Sequence, residues 1–268
     1  MGPMGRVQTI LGYKIGYAEA GQGERTPIVF LHGVGSDKSV WRPQLQHFGE
    51  ERRAIAFDYP GYGDSDPAPE RTSRDDYAAA ILSAMTGLGV ERAHVCGLSL
   101  GGVVAIALHH MAPDRCASLI LADTFARHPE GQAIYERSIA ASGNMRAMAE
   151  ARVDVLLAQP ADRAVRLEVI ETMARIDSAA FRVGAEAVWL ADQVDRVRAI
   201  RVPTLVICGT EDKITPPGLS HELTQLIPGA RYEPIQRSGH LTNLEQPDEF
   251  NILASAIVDG VAPPQFMP

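Results

Sequence analysis

The sequence predicts an α/β fold: a mostly parallel eight-stranded sheet flanked by helices and interrupted once by an all-helical segment. Three observations carry this. Eight short β-type runs recur along the 268 residues, and the central ones are unbroken apolar stretches, as strands buried on both faces of a parallel sheet require. Helix-like stretches alternate with them, which implies crossover connections. Between residues 125 and 196 the alternation stops, and Ala, Arg, Glu, Met and Leu dominate instead.

In chain order, the β-type runs are Val7 to Leu11, Lys14 to Ala18, Ile28 to Leu31, Ala54 to Phe57, His94 to Cys96, Leu119 to Ala122, Leu205 to Cys208 and Tyr232 to Ile235. Helices are expected at Asp75 to Met85, Leu100 to Met111, Leu219 to Leu226 and Glu249 to Val258. The 125–196 segment reads as several short helices, broken near Gly143 and Pro160. Set between two strands of a core made of residues 1–124 and 197–268, it is expected to form a cap over the strand ends. Its rival reading is an ordinary run of peripheral helices. A Pro-rich tail from Pro263 is expected to be disordered.

Composition narrows the function. Twenty-five Lys and Arg against 33 Asp and Glu give a formal charge of -8, which argues against a nucleic-acid partner. No apolar stretch approaches the ~18 residues of a membrane helix, so no membrane partner is expected. The opening Met1-Gly2-Pro3-Met4-Gly5-Arg6 lacks a secretory hydrophobic segment, so a cytoplasmic location is expected. Cys96, Cys116 and Cys208 are odd in number and widely spaced, and are expected to be reduced packing residues.

In parallel sheets ligands sit beyond the carboxyl ends of the strands, so the residues after each apolar run come first. Gly97-Leu98-Ser99-Leu100-Gly101-Gly102 lies between the run His94 to Cys96 and the helix-like Val103 to Leu108. A strand turning sharply into a helix would hold Ser99 in a strained conformation with its hydroxyl exposed. A serine hydroxyl is a poor nucleophile without a base, so a histidine and an orienting carboxylate should follow, each just past a strand. Leu205 to Cys208 runs into Gly209-Thr210-Glu211-Asp212, and Tyr232 to Ile235 runs into Ser238-Gly239-His240. The expected catalytic set is therefore Ser99, Asp212 and His240. Asp123 and Glu211 are rival acids; Asp123 also follows a buried strand. His128 opens the helical segment, with a structural role preferred over substrate contact.

Acyl transfer builds charge on a carbonyl oxygen, which needs fixed donors. The expected donors are the backbone N–H groups of Leu100 and of Val34, in the loop His32-Gly33-Val34-Gly35. The segment Asp58 to Asp66 is expected to form a surface loop that braces it, with Asp58 in a structural role. Trp41 and Trp189 are candidate walls of a substrate pocket, with plain packing the preferred reading of each. The glycines after Ile28 to Leu31 do not spell a dinucleotide-binding fingerprint, since Lys38 stands where its third glycine would be. Phosphate-loop and metal-ligand patterns are missing as well, so no cofactor and no metal are implied.

Together, His32-Gly33, Asp58 to Gly63, Gly97 to Gly102, Asp212 with Pro216, and Gly239-His240 with Glu245 and Pro247 resemble the α/β-hydrolase superfamily over nearly the whole chain outside the cap. Leu31 to Asp37 followed by Trp41, with Cys96 to Gly102, is similar to 3-oxoadipate enol-lactonases and related small carboxylesterases. The resemblance implies the α/β-hydrolase fold and a serine hydrolase acting on a small-molecule ester or lactone through an acyl-enzyme. It disfavours the dehalogenases and epoxide hydrolases of the superfamily, which use an aspartate where Ser99 stands. Carbon–carbon bond hydrolysis with the same three residues, and a noncatalytic receptor for a small molecule, stay open at this point. The oligomeric state is not legible.

Overall fold

The computed structural model describes residues 6–10, 13–69 and 71–261; the end of the first β-type run at Leu11 and the tail from Pro263 lie outside them. Among the described residues one eight-stranded sheet organises the molecule. Its strands are β1 (Arg6–Ile10), β2 (Tyr13–Ala20), β3 (Ile28–Leu31), β4 (Ala54–Phe57), β5 (Ala93–Leu98), β6 (Cys116–Ala122), β7 (Thr204–Gly209) and β8 (Arg231–Ile235). The spatial order is β1-β2-β4-β3-β5-β6-β7-β8. β1 pairs with β2, and β2 with β4, antiparallel. The other pairs are parallel, with Leu31 level with both Phe57 and Gly97. That register brings the ends of β3, β4 and β5 to one edge of the sheet.

The apolar runs form strands because both of their faces are covered: every residue of β3, β4, β5 and β7 is buried. β5 and β7 extend beyond the runs read from sequence, because Ala93, Gly97, Leu98, Thr204 and Gly209 are taken up by their neighbours' ladders. The covering helices are α1 (Arg42–Phe48), α2 (Arg74–Gly87), α3 (Leu100–Met111), α4 (Gly131–Ala141), α5 (Met145–Leu156), α6 (Arg163–Ala174), α7 (Ser178–Trp189), α8 (Val194–Arg198), α9 (Pro217–Leu226), α10 (Thr242–Glu245) and α11 (Pro247–Val258). α2 starts at a capping box in which Ser73 and Asp76 satisfy each other's backbone N–H. α1 was not expected from sequence; it is only seven residues long, and Pro43 near its start presets the helical φ. No helix among the described residues is long and apolar enough to cross a membrane.

Five helices, α4 to α8, separate β6 from β7. Asn144, Asp162 and Asp177 cap α5, α6 and α7 by accepting from backbone N–H groups in the first turn. The expected breaks hold, since Gly143 lies between α4 and α5 and Pro160 between α5 and α6. The insertion leaves the core at Ala126, whose carbonyl accepts from Gln193 N–H at 2.9 Å, and Arg127 pairs with Asp192 in an antiparallel bridge. It is stitched to the core by Tyr62, which donates to the Ala180 carbonyl, and by Gln193, whose amide reaches the Val103 carbonyl.

Candidate active site

Ser99 stands between β5 and α3 with φ 57° and ψ -116°, in the left-handed region that side chains rarely adopt. Close packing fixes this strain. A Cβ on Gly97 would lie 2.1 Å from the Gly101 carbonyl oxygen, and one on Gly101 would lie 2.0 Å from that of Leu31. Only glycines let strand, turn and helix approach so nearly. The Ser99 backbone is held on both sides: its N–H donates to Ala122 O at 2.9 Å, and its carbonyl accepts from the Thr124 hydroxyl at 2.8 Å.

Asp212 and His240 meet as expected, with Nδ1 2.8 Å from Oδ2. The remaining capacity of Asp212 is filled: Oδ1 accepts from the N–H groups of Ile214 and Thr215, and Oδ2 accepts from the Thr215 hydroxyl at 2.7 Å. Burial pushes the Asp212 carboxyl up, but His240 and the Thr215 bonds outweigh it and hold the group below the ordinary carboxylate range. Burial likewise pushes the His240 imidazole down, and Asp212 outweighs it, leaving the base above its ordinary value. His240 itself is fixed by its backbone N–H, which donates to Leu156 O at 2.7 Å across to the end of α5.

The rival acids do not reach the imidazole. Glu211 is exposed. Asp123 is fully buried, and its oxygens are taken by Gly209 N–H at 3.0 Å and Thr242 Oγ1 at 2.5 Å. Burial, followed by the nearby Asp212 charge, raises its carboxyl to about 8. Asp123, Asp212 and Cys208 lie within 4.8 Å of one another, the kind of group that can hold a cation. Here, however, the oxygens already have donors, and burial keeps the proton on the Cys208 thiol. The cluster buttresses the loops of Asp212 and His240. All three cysteines are buried and free, as expected.

The loop after β3 lies against the serine. Val34 lines the cavity that Ser99 opens into, and a Cβ on Gly33 would sit 3.4 Å from Ser99 Cβ. Leu100 begins α3, so its backbone N–H is one of those the helix leaves without an internal partner. The loop is braced from below by Asp58, whose Oδ1 accepts from Lys38 N–H and whose Oδ2 meets Lys38 Nζ at 2.6 Å.

Ser99 and His240 are walls of one cavity, roofed by residues of α5, α6 and α7. No hydrogen bond joins them among the described residues. Trp189 lines this cavity, and its buried indole N–H has no partner. Trp41 does not line it. It is wholly buried beneath the loop, with ring centroids 5.0 Å from Phe30 and 6.0 Å from Phe250, and its neighbour Val40 reaches the cavity instead. An indole is large enough to pack either way, and the aromatic partners that decide its side come from distant parts of the chain. Sequence reasoning also missed Thr215, Arg152 and the working part of Glu245. The last accepts backbone N–H groups of Ala158, Gly239 and Leu241, tying the loop after α5 to the loop of His240. His128 braces the site, packed against Phe125 and Trp189.

Known proteins resemble this chain over most of its length. A 3-oxoadipate enol-lactonase of Acinetobacter baylyi is 27% identical over 238 residues, spanning 87% of this chain and 89% of its own. The dihydrolipoyllysine-residue acetyltransferase component of an acetoin cleaving system from Pseudomonas putida is 30% identical over 261 residues, 93% of this chain and 68% of its own. The crystal structure of an enol-lactonase from Burkholderia xenovorans superposes with a TM-score of 0.87 at 28% identity, covering 95% of this chain and 100% of that one. Residues 28–252, from β3 into α11, match the model of the alpha/beta hydrolase family. With sheet order, strained serine turn and matched span in agreement, the chain belongs to that family.

Proposed function

We propose that the protein is a serine hydrolase of small carboxylic esters or lactones, working through an acyl-enzyme. One observation carries this reading: Asp212 engages Nδ1 of His240, while His240 and the strained Ser99 face a single apolar cavity. Engaging Nδ1 fixes the tautomer that leaves Nε2 free to act as base. Ser99 Oγ attacks the substrate carbonyl as His240 takes its proton. The backbone N–H groups of Val34 and Leu100 receive the developing oxyanion. His240 then protonates the leaving alcohol, and a water activated by the same nitrogen releases the acid. Asp212 stabilises the imidazolium at both stages. The α4 to α7 insertion acts as a cap that excludes water and shapes the pocket. The lactonase names of two relatives support a lactone as readily as a linear ester.

Initial hydrolysis rates on p-nitrophenyl esters of increasing acyl length, with wild type beside Ser99→Ala, test the proposal. Multiple turnover that falls at least ~10³-fold in folded Ser99→Ala is expected. A well-folded wild type inert toward these esters and toward small lactones would overturn it.

A further inference from the structure

A second, more open cavity lies between α4, α5 and the loop that follows Asp212, and it shares two walls, Arg152 and Ile214, with the cavity of Ser99. In a chain of charge -8, it carries three cations, Arg137, Arg152 and Lys213, against one carboxylate, Glu130. None of the three meets a carboxylate among the described residues. Other arginines of the insertion are paired, as Arg146 with Glu171 and Arg166 with Asp154, whereas Arg163 and Arg182, outside this cavity, also meet no carboxylate among the described residues.

Arg152 is the informative member. It is partly buried at the junction of the two cavities. Burial, then the charge of Arg137, lowers its pKa, so its positive charge is held where nothing compensates it. A desolvated, unpaired guanidinium opposes stability, whereas an apolar side chain there would simply pack. Pro216 and Gly218, at the start of the ten-residue α9, line the same space, so the positive end of that helix dipole adds to the field.

We infer that the outer cavity is an anion subsite and that the substrate carries a small oxyanion, carboxylate or phosphate, at a distance from the carbonyl that Ser99 attacks. Arg152 is the contact nearest the reacting centre, its planar fork suited to two oxygens, while Lys213 and Arg137 draw the charged end into the outer chamber. The substrate class rests on the hydrolase reading above; the anion site does not.

Two measurements separate them. In titration calorimetry of Ser99→Ala, glutarate or inorganic phosphate should bind, and Arg152→Gln should weaken that binding about tenfold or more. Glutarate alone would assign a carboxylate, phosphate alone a phosphate. In kinetics, the ratio of kcat/KM for p-nitrophenyl hemiglutarate over its neutral analogue, p-nitrophenyl valerate, should fall about tenfold in Arg152→Gln. It should be largely restored in Arg152→Lys and fall less in the exposed variant Lys213→Gln. Failure of both anions to bind, or binding and ratio indifferent to position 152, would overturn the subsite while leaving the hydrolase intact. Anion binding in a protein that hydrolyses neither ester would uphold the subsite and count against the ester reading.

Discussion

Lys38 Nζ lies 2.6 Å from Asp58 Oδ2, and neither side chain is more than one-tenth exposed. This pair, with the Lys38 N–H on Asp58 Oδ1, fastens the loop after β3 to the end of β4. Removing one partner of such a pair leaves a charge without compensation. Lys38→Met should lower unfolding stability by about 3 kcal/mol. Urea denaturation measures this, and a loss under about 1 kcal/mol would show that the loop does not depend on the pair.

On the proposed mechanism, the elevated pKa of His240 sets the pH dependence of turnover. The base works only when neutral, so kcat/KM should fall as pH drops through its pKa, with the midpoint of the acid limb above the ordinary value of about 6.5. Asp212→Asn should move that midpoint down and cut kcat roughly 10⁴-fold. A pH-rate profile of each protein decides it; a midpoint unmoved by the substitution would separate Asp212 from the base.

Asp123 predicts an opposite trend in stability. Its folded pKa of about 8 exceeds that of an unfolded aspartate, near 3.9. Between those values folding takes up a proton, so this group's contribution declines with rising pH, by about 1.4 kcal/mol per unit at most. Asp123→Asn keeps a neutral group there and should flatten that decline. Unfolding free energies of both proteins at pH 5.5 and pH 7.5 provide the comparison, and parallel slopes would contradict it.

Gly101→Ala should be far more damaging than an ordinary glycine substitution. The added methyl would meet the Leu31 carbonyl at 2.0 Å, and both sides of that contact are backbone, which cannot step aside. Soluble yield and thermal unfolding report the outcome; a stable, active variant would mean that the turn relaxes more than its packing implies.

Glu245→Ala should impair activity and stability together. It strips an acceptor from the N–H groups of Ala158, Gly239 and Leu241, the last two flanking His240. Orphaned N–H groups cost about 1 to 3 kcal/mol each when buried. A variant with wild-type kcat and melting temperature would show that water replaces the carboxylate at no cost.

What the sequence made legible follows from range. Ser99, Asp212 and His240 were readable because each sits directly after an apolar run, and the strand order that unites them follows from parallel pairing. α3 was placed from Leu100 to Met111 because glycines mark its start and the apolar pattern its length. Trp41 could be read as wall or as packing, with packing preferred, and packing it is: the distant Phe250 and the strand residue Phe30 determine where its ring lies. Arg152 was indistinguishable from the other arginines of the insertion: its unpaired state is a property of neighbours from α4 and the Asp212 loop, none close in sequence. Thr215 was likewise silent, because a threonine near an acid has meaning only once the turn back onto Oδ2 is seen.

The bridge of Arg127 with Asp192 has an implication for how such enzymes diverge. A segment that departs and returns through one narrow neck can be exchanged for another of different length without stretching the sheet or moving Ser99. New specificities can therefore be sampled by replacing a single contiguous stretch of the gene, while the chemistry beneath is inherited unchanged.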